Sequence, residues 1–419
     1  MINDLTFKIL FCLVLDVIML LSYRWFLFWI PMITVAGLWV PVAYDLTRET
    51  RYLQTYMEMV LVAFFFFKWV RERKDKTSAG LFGFGLLAFP ALLNAEGHFA
   101  FTLWISLLIL GGVGVYHFFL ENMEWILARD VVDWTTLTWS VAGLWTKAYY
   151  ARQLDQPWMY QRGGGIWASN HVGGILLLLL PLVKKPWISA IAIVFLLSNF
   201  SLGIYICLTI TLLGWMAIGR IGKGSWGILV TACIAGALFI GIIPNNELAV
   251  SYLQERSGMH YAQTDSLTKG LTARFTTDTR WEIQQAAITM AEQSNLVGVG
   301  LGGFVWHLEQ AGYPPVYSNA HNIYLTLLDE GGVLFLLAFL GLLCYSLNLA
   351  RKTNKTVFVS LLSWAVYGFW SGEIYEAASI ATAGDYYNFL LILAFLGYSA
   401  KASKKIVIDQ DHALVPAPV

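Results

Sequence analysis

Long apolar runs separated by short polar connections repeat along nearly the whole 419-residue chain, and one long polar stretch interrupts them. A run that approaches the roughly 20 residues a helix needs to cross a bilayer reads as a candidate span. By that rule the candidates are Phe7 to Leu21, Trp25 to Ala43, Tyr56 to Val70, Gly80 to Leu93, Phe99 to Leu120, Val131 to Tyr150, Ile166 to Val183, Trp187 to Leu202, Gly203 to Ile218, Trp226 to Ile243, Ala320 to Leu349, Val357 to Trp370 and Tyr386 to Tyr398. Several are short, and the first two are weakly separated, so the pattern predicts an all-α polytopic membrane protein of about 12 transmembrane helices. The interruption, Pro244 to Ser318, forms one large loop with helical patterning of its own. No repeat at a fixed period is evident. The resulting division is 1–243, about ten helices with short loops; 244–319, the large loop; 320–400, the last helices; and 401–419, a polar tail.

Composition agrees with this reading. The chain is 58% hydrophobic and only 13% charged, with a mean hydropathy of +0.61, values that exclude a multidomain soluble protein. Its 27 basic and 27 acidic residues cancel, which gives no electrostatic ground for nucleic-acid binding. The position of the charges is more informative. Lys and Arg cluster at Arg71 to Lys76, Lys184 and Lys185, Arg220 and Lys223, Arg351 to Lys355, and Lys401 to Lys405. Basic connections stay in the cytoplasm, and placing all five there is consistent with the number of spans between them. That puts 151–165, 244–318 and 371–385 on the non-cytoplasmic face and the tail inside. The first apolar run lacks a basic leader and a cleavage site, so it is expected to be retained. Cys12, Cys207, Cys233 and Cys344 sit in apolar segments as small hydrophobes, with no disulfide or metal-finger spacing.

The chemistry-bearing residues concentrate outside. Thr279-Arg-Trp-Glu282 has the form of a capping box that starts a helix ending near Gln293, and Asn295 to Phe304 then breaks it with glycines that allow close backbone approach. Arg280 in the first turn opposes the helix dipole, a cost met either by pairing with Asp278 or Glu282 or by a bound anion, since helix N–H groups plus a guanidinium suit a phosphate. His321 lies where the loop re-enters the membrane as a helix expected to be capped by Ser318 or Asn319. A helix start disfavours the imidazolium, so His321 is expected to be neutral and able to act as a base. Arg162, before Gly163-Gly-Gly165, comes to the same face. Arg274, His171 and Asn322 are weaker supporting candidates. Glu330, followed by Gly331 and Gly332, needs a partner at its depth, and the glycines suggest close helix packing. Glu373, Glu376 and Asp385 could bind a metal or act as a base, but they form no Asp-x-Asp pair, no His or Cys spacing suggests a metal site, and no metal is expected. Asp16, Glu58 and Lys68 read as structural.

These features resemble the bacterial O-antigen ligase and polymerase superfamily: Arg162-Gly-Gly-Gly with Asn170, Arg280-Trp281 ahead of Asn295-Leu-Val-Gly-Val-Gly-Leu-Gly, and His321-Asn322 before Glu330-Gly331-Gly332. The resemblance implies a GT-C-like architecture in the bacterial inner membrane, with its active site facing the periplasm. It further implies inverting, metal-independent transfer of a polysaccharide from undecaprenyl pyrophosphate to a hydroxyl of the lipid A-core, without a cofactor. Arg162 and Arg280 would hold the pyrophosphate and His321 would take the hydroxyl proton. An O-antigen polymerase, with a second lipid-linked glycan as acceptor, is the nearest alternative. A protein O-oligosaccharyltransferase resembles a longer chain with a further C-terminal region, and a transporter of lipid-linked sugars would need ionisable groups near the bilayer midplane.

Overall fold

The computed structural model describes residues 4–25, 27–29, 31–32, 60, 62–72, 76–95, 97–154, 169–198, 202–218, 280–310, 320–370, 395 and 398. Among them there is no strand. The helices are α1 (Asp4–Leu21), α2 (62–72), α3 (Lys76–Leu86), α4 (Phe99–Ala128), α5 (Val131–Leu154), α6 (Ser169–Leu179), α7 (Pro186–Leu197), α8 (Leu202–Ala217), α9 (Arg280–Gln293), α10 (Phe304–Gln310), α11 (Ile323–Thr353) and α12 (Lys355–Tyr367). Two helices, Thr102–Ala128 within α4 and Ile323–Thr353, are long and apolar enough to cross a membrane; α7, α8 and α12 are apolar but shorter. The expected passes at Trp25 to Ala43, Trp226 to Ile243 and Tyr386 to Tyr398 lie wholly or largely outside the described residues.

Small residues set how closely the helices approach. A methyl group on Gly114 of α4 would collide with the backbone of Phe65 and Phe66 in α2, one on Gly111 would strike the Val62 side chain, and Gly85 of α3 lies against the backbone of Leu110. Such contacts let helices pack through dispersion where lipid supplies no hydrophobic drive. α8 and α12 repeat the device. Gly214 faces Val359 and Gly203 faces Trp370, while Thr211 Oγ1 donates to Ser363 Oγ and Ser363 Oγ donates to the Cys207 carbonyl at 2.9 Å. Cys207 is buried as expected of a small hydrophobe, whereas Cys344 is exposed. Leu13, Val14, Val17 and Leu21 on α1 and Leu334, Leu337 and Tyr345 on α11 face outward. So much outward apolar surface suits lipid rather than water as the surroundings.

α4 and α11 both begin at one end of the bundle and run to the other, which gives the molecule two chemically different ends. At the end where α4 finishes, the Lys185 ammonium pairs with Asp130 at 2.7 Å and the Asp133 carboxylate accepts the Lys184 backbone N–H at 2.8 Å. The Arg24 guanidinium lies 5.8 Å from the centre of the Trp125 ring. The hydrogen bond from Lys185 holds the Asp130 carboxyl below the ordinary carboxylate value.

Candidate functional site

The opposite end is organised by a break in α11. Gly332 has φ 84° and ψ 171°, a conformation open essentially only to glycine. Gly332 interrupts the helix, which corrects the expectation of one unbroken span from Ala320 to Leu349, and the close approach expected at this glycine is made by the loop after α9 rather than by a helix. A break frees backbone donors and acceptors that must be paired if buried. Here the loop after α9 pairs them. Val299 N–H donates to the Asp329 carbonyl at 2.8 Å, Gly300 N–H to the Glu330 carbonyl at 3.0 Å, and Val333 N–H to the Leu296 carbonyl at 2.9 Å. The approach is so close that a methyl on Gly298 would strike the Glu330 carbonyl and one on Gly332 the Val297 carbonyl.

Glu330 has the partner its depth requires. Its carboxylate accepts Gly302 N–H at 2.7 Å and Phe304 N–H at 3.2 Å, closing the otherwise unpaired N-terminus of α10. From the other side, Asn94 Nδ2 donates to the Gly298 carbonyl, His98 Nε2 to the Val299 carbonyl at 3.1 Å, and Thr102 Oγ1 to the Leu301 carbonyl at 3.0 Å. A carbonyl only accepts, so the proton of His98 sits on Nε2. The His98 ring also stacks on Trp306, with centroids 5.2 Å apart. The Gly-rich loop is thus a junction between α4 and α11, and its N–H groups at 299, 300, 302 and 304 are spent on the chain itself. Asp329, whose carbonyl accepts the Val299 N–H, is fully buried.

His321 precedes α11, half-buried, with φ 50°. The cap is Asn322, not Ser318 or Asn319: its side-chain oxygen accepts from Tyr324 N–H at 3.0 Å and Leu325 N–H at 3.3 Å. Two ties fix this start, since Ile323 N–H donates to the Gly368 carbonyl at 2.8 Å and the Tyr324 hydroxyl to the Ala365 carbonyl. Asn322 therefore serves the helix start, and His321 stands just ahead of it on a left-handed backbone. α9 ends at Gln293, as expected, and packs on α11. Its C-terminus is tied to the break at Gly332, while Ile283, Ala286, Ala287 and Met290 share one apolar cluster with Ala320 and Leu325. Arg280 is the first residue of α9. His171 falls in the first turn of α6. The side chains of Arg280 and His171, and all of Arg162, Arg274 and Thr279, lie outside the described residues, as do Glu373, Glu376 and Asp385.

Sequence reasoning passed over Asn94, His98, Thr102 and Asp329; the one available signal was a short polar break, Asn94 to His98, between two apolar runs. A cavity of about 620 Å³ lies elsewhere, between α2 and α4, lined by Val62, Phe66, Phe67, Trp104, Leu107 and Gly111. It is apolar and holds none of the candidate reacting groups. Compared with protein-family models and with curated proteins, the chain matches none.

Proposed function

We propose that this chain is a membrane glycosyltransferase of the O-antigen ligase type, moving a polysaccharide from undecaprenyl pyrophosphate to a hydroxyl of lipid A-core at the periplasmic face of the bacterial inner membrane. One observation supports the reading most: α9, which Arg280 opens, packs on α11, which His321 and its Asn322 cap precede, and the two helices share one apolar cluster. In that mechanism the His321 imidazole takes the proton of the acceptor hydroxyl. The oxygen attacks the anomeric carbon, the bond from that carbon to the phosphate oxygen breaks, and the configuration inverts. Arg280, with Arg162 from the 151–165 connection, balances the charge that grows on the departing pyrophosphate. Such a leaving group asks mainly for positioning and charge.

The test is transfer by the purified protein, given lipid-linked glycan and lipid A-core. His321→Ala is expected to lose about 10²- to 10⁴-fold in rate while folding normally, as loss of a general base does. Arg280→Lys keeps the charge but not the planar fork, and is expected to weaken transfer as well. Unchanged transfer by His321→Ala overturns the mechanism. Product formed only when a second lipid-linked glycan is the acceptor marks a polymerase instead, and passage of the lipid-linked sugar across vesicles without a new glycosidic bond marks a transporter.

A further inference from the structure

The end of the bundle remote from His321 holds a cluster that the glycan chemistry does not use. On α4, His117 and Glu121 are one turn apart and face the same way; Glu72, the last residue of α2, completes a group of three. His117 is buried. Its Nε2 stands 3.4 Å from Glu121 Oε1 and 3.5 Å from Glu72 Oε2, yet neither ring nitrogen makes a hydrogen bond. A desolvated imidazole aimed between two carboxylates without bonding either is costly unless something joins them. The separations suit a shared ion: ligand atoms about 2.0 to 2.1 Å from a tetrahedral metal stand roughly 3.4 Å apart. An octahedral ion at similar bond lengths would draw adjacent ligands nearer, to about 3.0 Å. The three ligand atoms all fall within 4.8 Å of one another, so the carboxylates need only a modest rotation to close on a common centre. Lys68 does not fill that centre. Its ammonium lies 3.9 Å from the other Glu121 oxygen, Oε2, and 4.8 Å over the Tyr23 ring, leaving Oε1 turned to His117.

We propose that Glu72, His117 and Glu121 bind a divalent transition-metal ion, with zinc the best fit, which pins the end of α2 to α4 and leaves a fourth position for water. The site is independent of glycan transfer. The test uses the full-length protein in detergent, freed of metal by a chelator and dialysed against zinc ion alone, with bound metal measured by mass spectrometry and thermal unfolding followed in parallel. One tightly bound equivalent per chain and a midpoint that rises with zinc are expected. Glu121→Gln changes a half-exposed side chain and should leave the fold intact; it and Glu72→Gln should each weaken zinc binding at least about 100-fold, beyond the usual cost of losing an outer-shell partner. Cobalt should give the intense visible bands of a tetrahedral site, which both variants lose. No stoichiometric zinc in the wild type, or equal binding in both variants, overturns the proposal and leaves a histidine–carboxylate ion pair. Magnesium binding as tight as zinc overturns the assignment to a transition metal.

Discussion

The end of the bundle that carries Arg24, Lys68, Asp130 and Lys185 is joined by charged side chains meeting near the surface, whereas the His321 end is joined by backbone groups meeting in the interior. Lys185 and Asp130 remain one-third and nearly one-half exposed, and such pairs contribute little because water screens them. The loop from Asn295 to Phe304 is different. Its carbonyls and N–H groups are buried against α4 and α11, where losing one partner strands the other. The contrast teaches where precision resides. The surface-paired end tolerates change, while the end that presents His321 depends on each of several bonds to one broken helix.

The widest separation between the two ends should come from Glu330→Ala. This removes the acceptor for two buried N–H groups and is expected to cost about 3 to 5 kcal/mol, read as a shift in denaturant midpoint together with proteolytic cutting between α9 and α10. A variant that unfolds like the wild type would mean Glu330 does not hold the junction. A smaller effect is expected from Thr102→Val, which keeps the shape but drops the bond to the Leu301 carbonyl, costing about 1 kcal/mol in the same unfolding experiment. The least effect belongs to Asp130→Asn at the opposite end. Because its folded carboxyl titrates below the ordinary value of 3.8, its contribution is present above that pH and disappears as pH falls through the lower, folded value. Stability curves of wild type and variant should therefore differ slightly at neutral pH, converge in acid, and draw together in high salt. A gap that widens in acid would reverse this sign.

Periodicity made the helices legible. The starts of α4 at Phe99 and α5 at Val131, and the end of α9 at Gln293, follow from apolar patterning and from the glycines after Asn295. Glu330's need for a partner could be read as well, because an acid in an apolar helix has few alternatives. Its partners could not, since they are backbone N–H groups that carry no side-chain signature. His98 and Thr102 were hidden for the same reason: each bonds a carbonyl about 200 positions away. The cap of α11 illustrates a competition. Ser318, Asn319 and Asn322 all have the right chemistry, and the choice falls to Asn322 because the next residue is tied to the Gly368 carbonyl.

The break at Gly332 also has a consequence for depth. An unbroken α11 would be a rod of roughly 46 Å at 1.5 Å per residue, well beyond the ~30 Å hydrocarbon layer of a bilayer. Counted from Val333 to Thr353, the remaining helix is about 32 Å, close to that thickness. The first turns, from Ile323 to Gly331, then rise about 13 Å into the headgroup zone. One glycine thus fixes how far His321, just ahead of α11, stands from the helix long enough to match that layer.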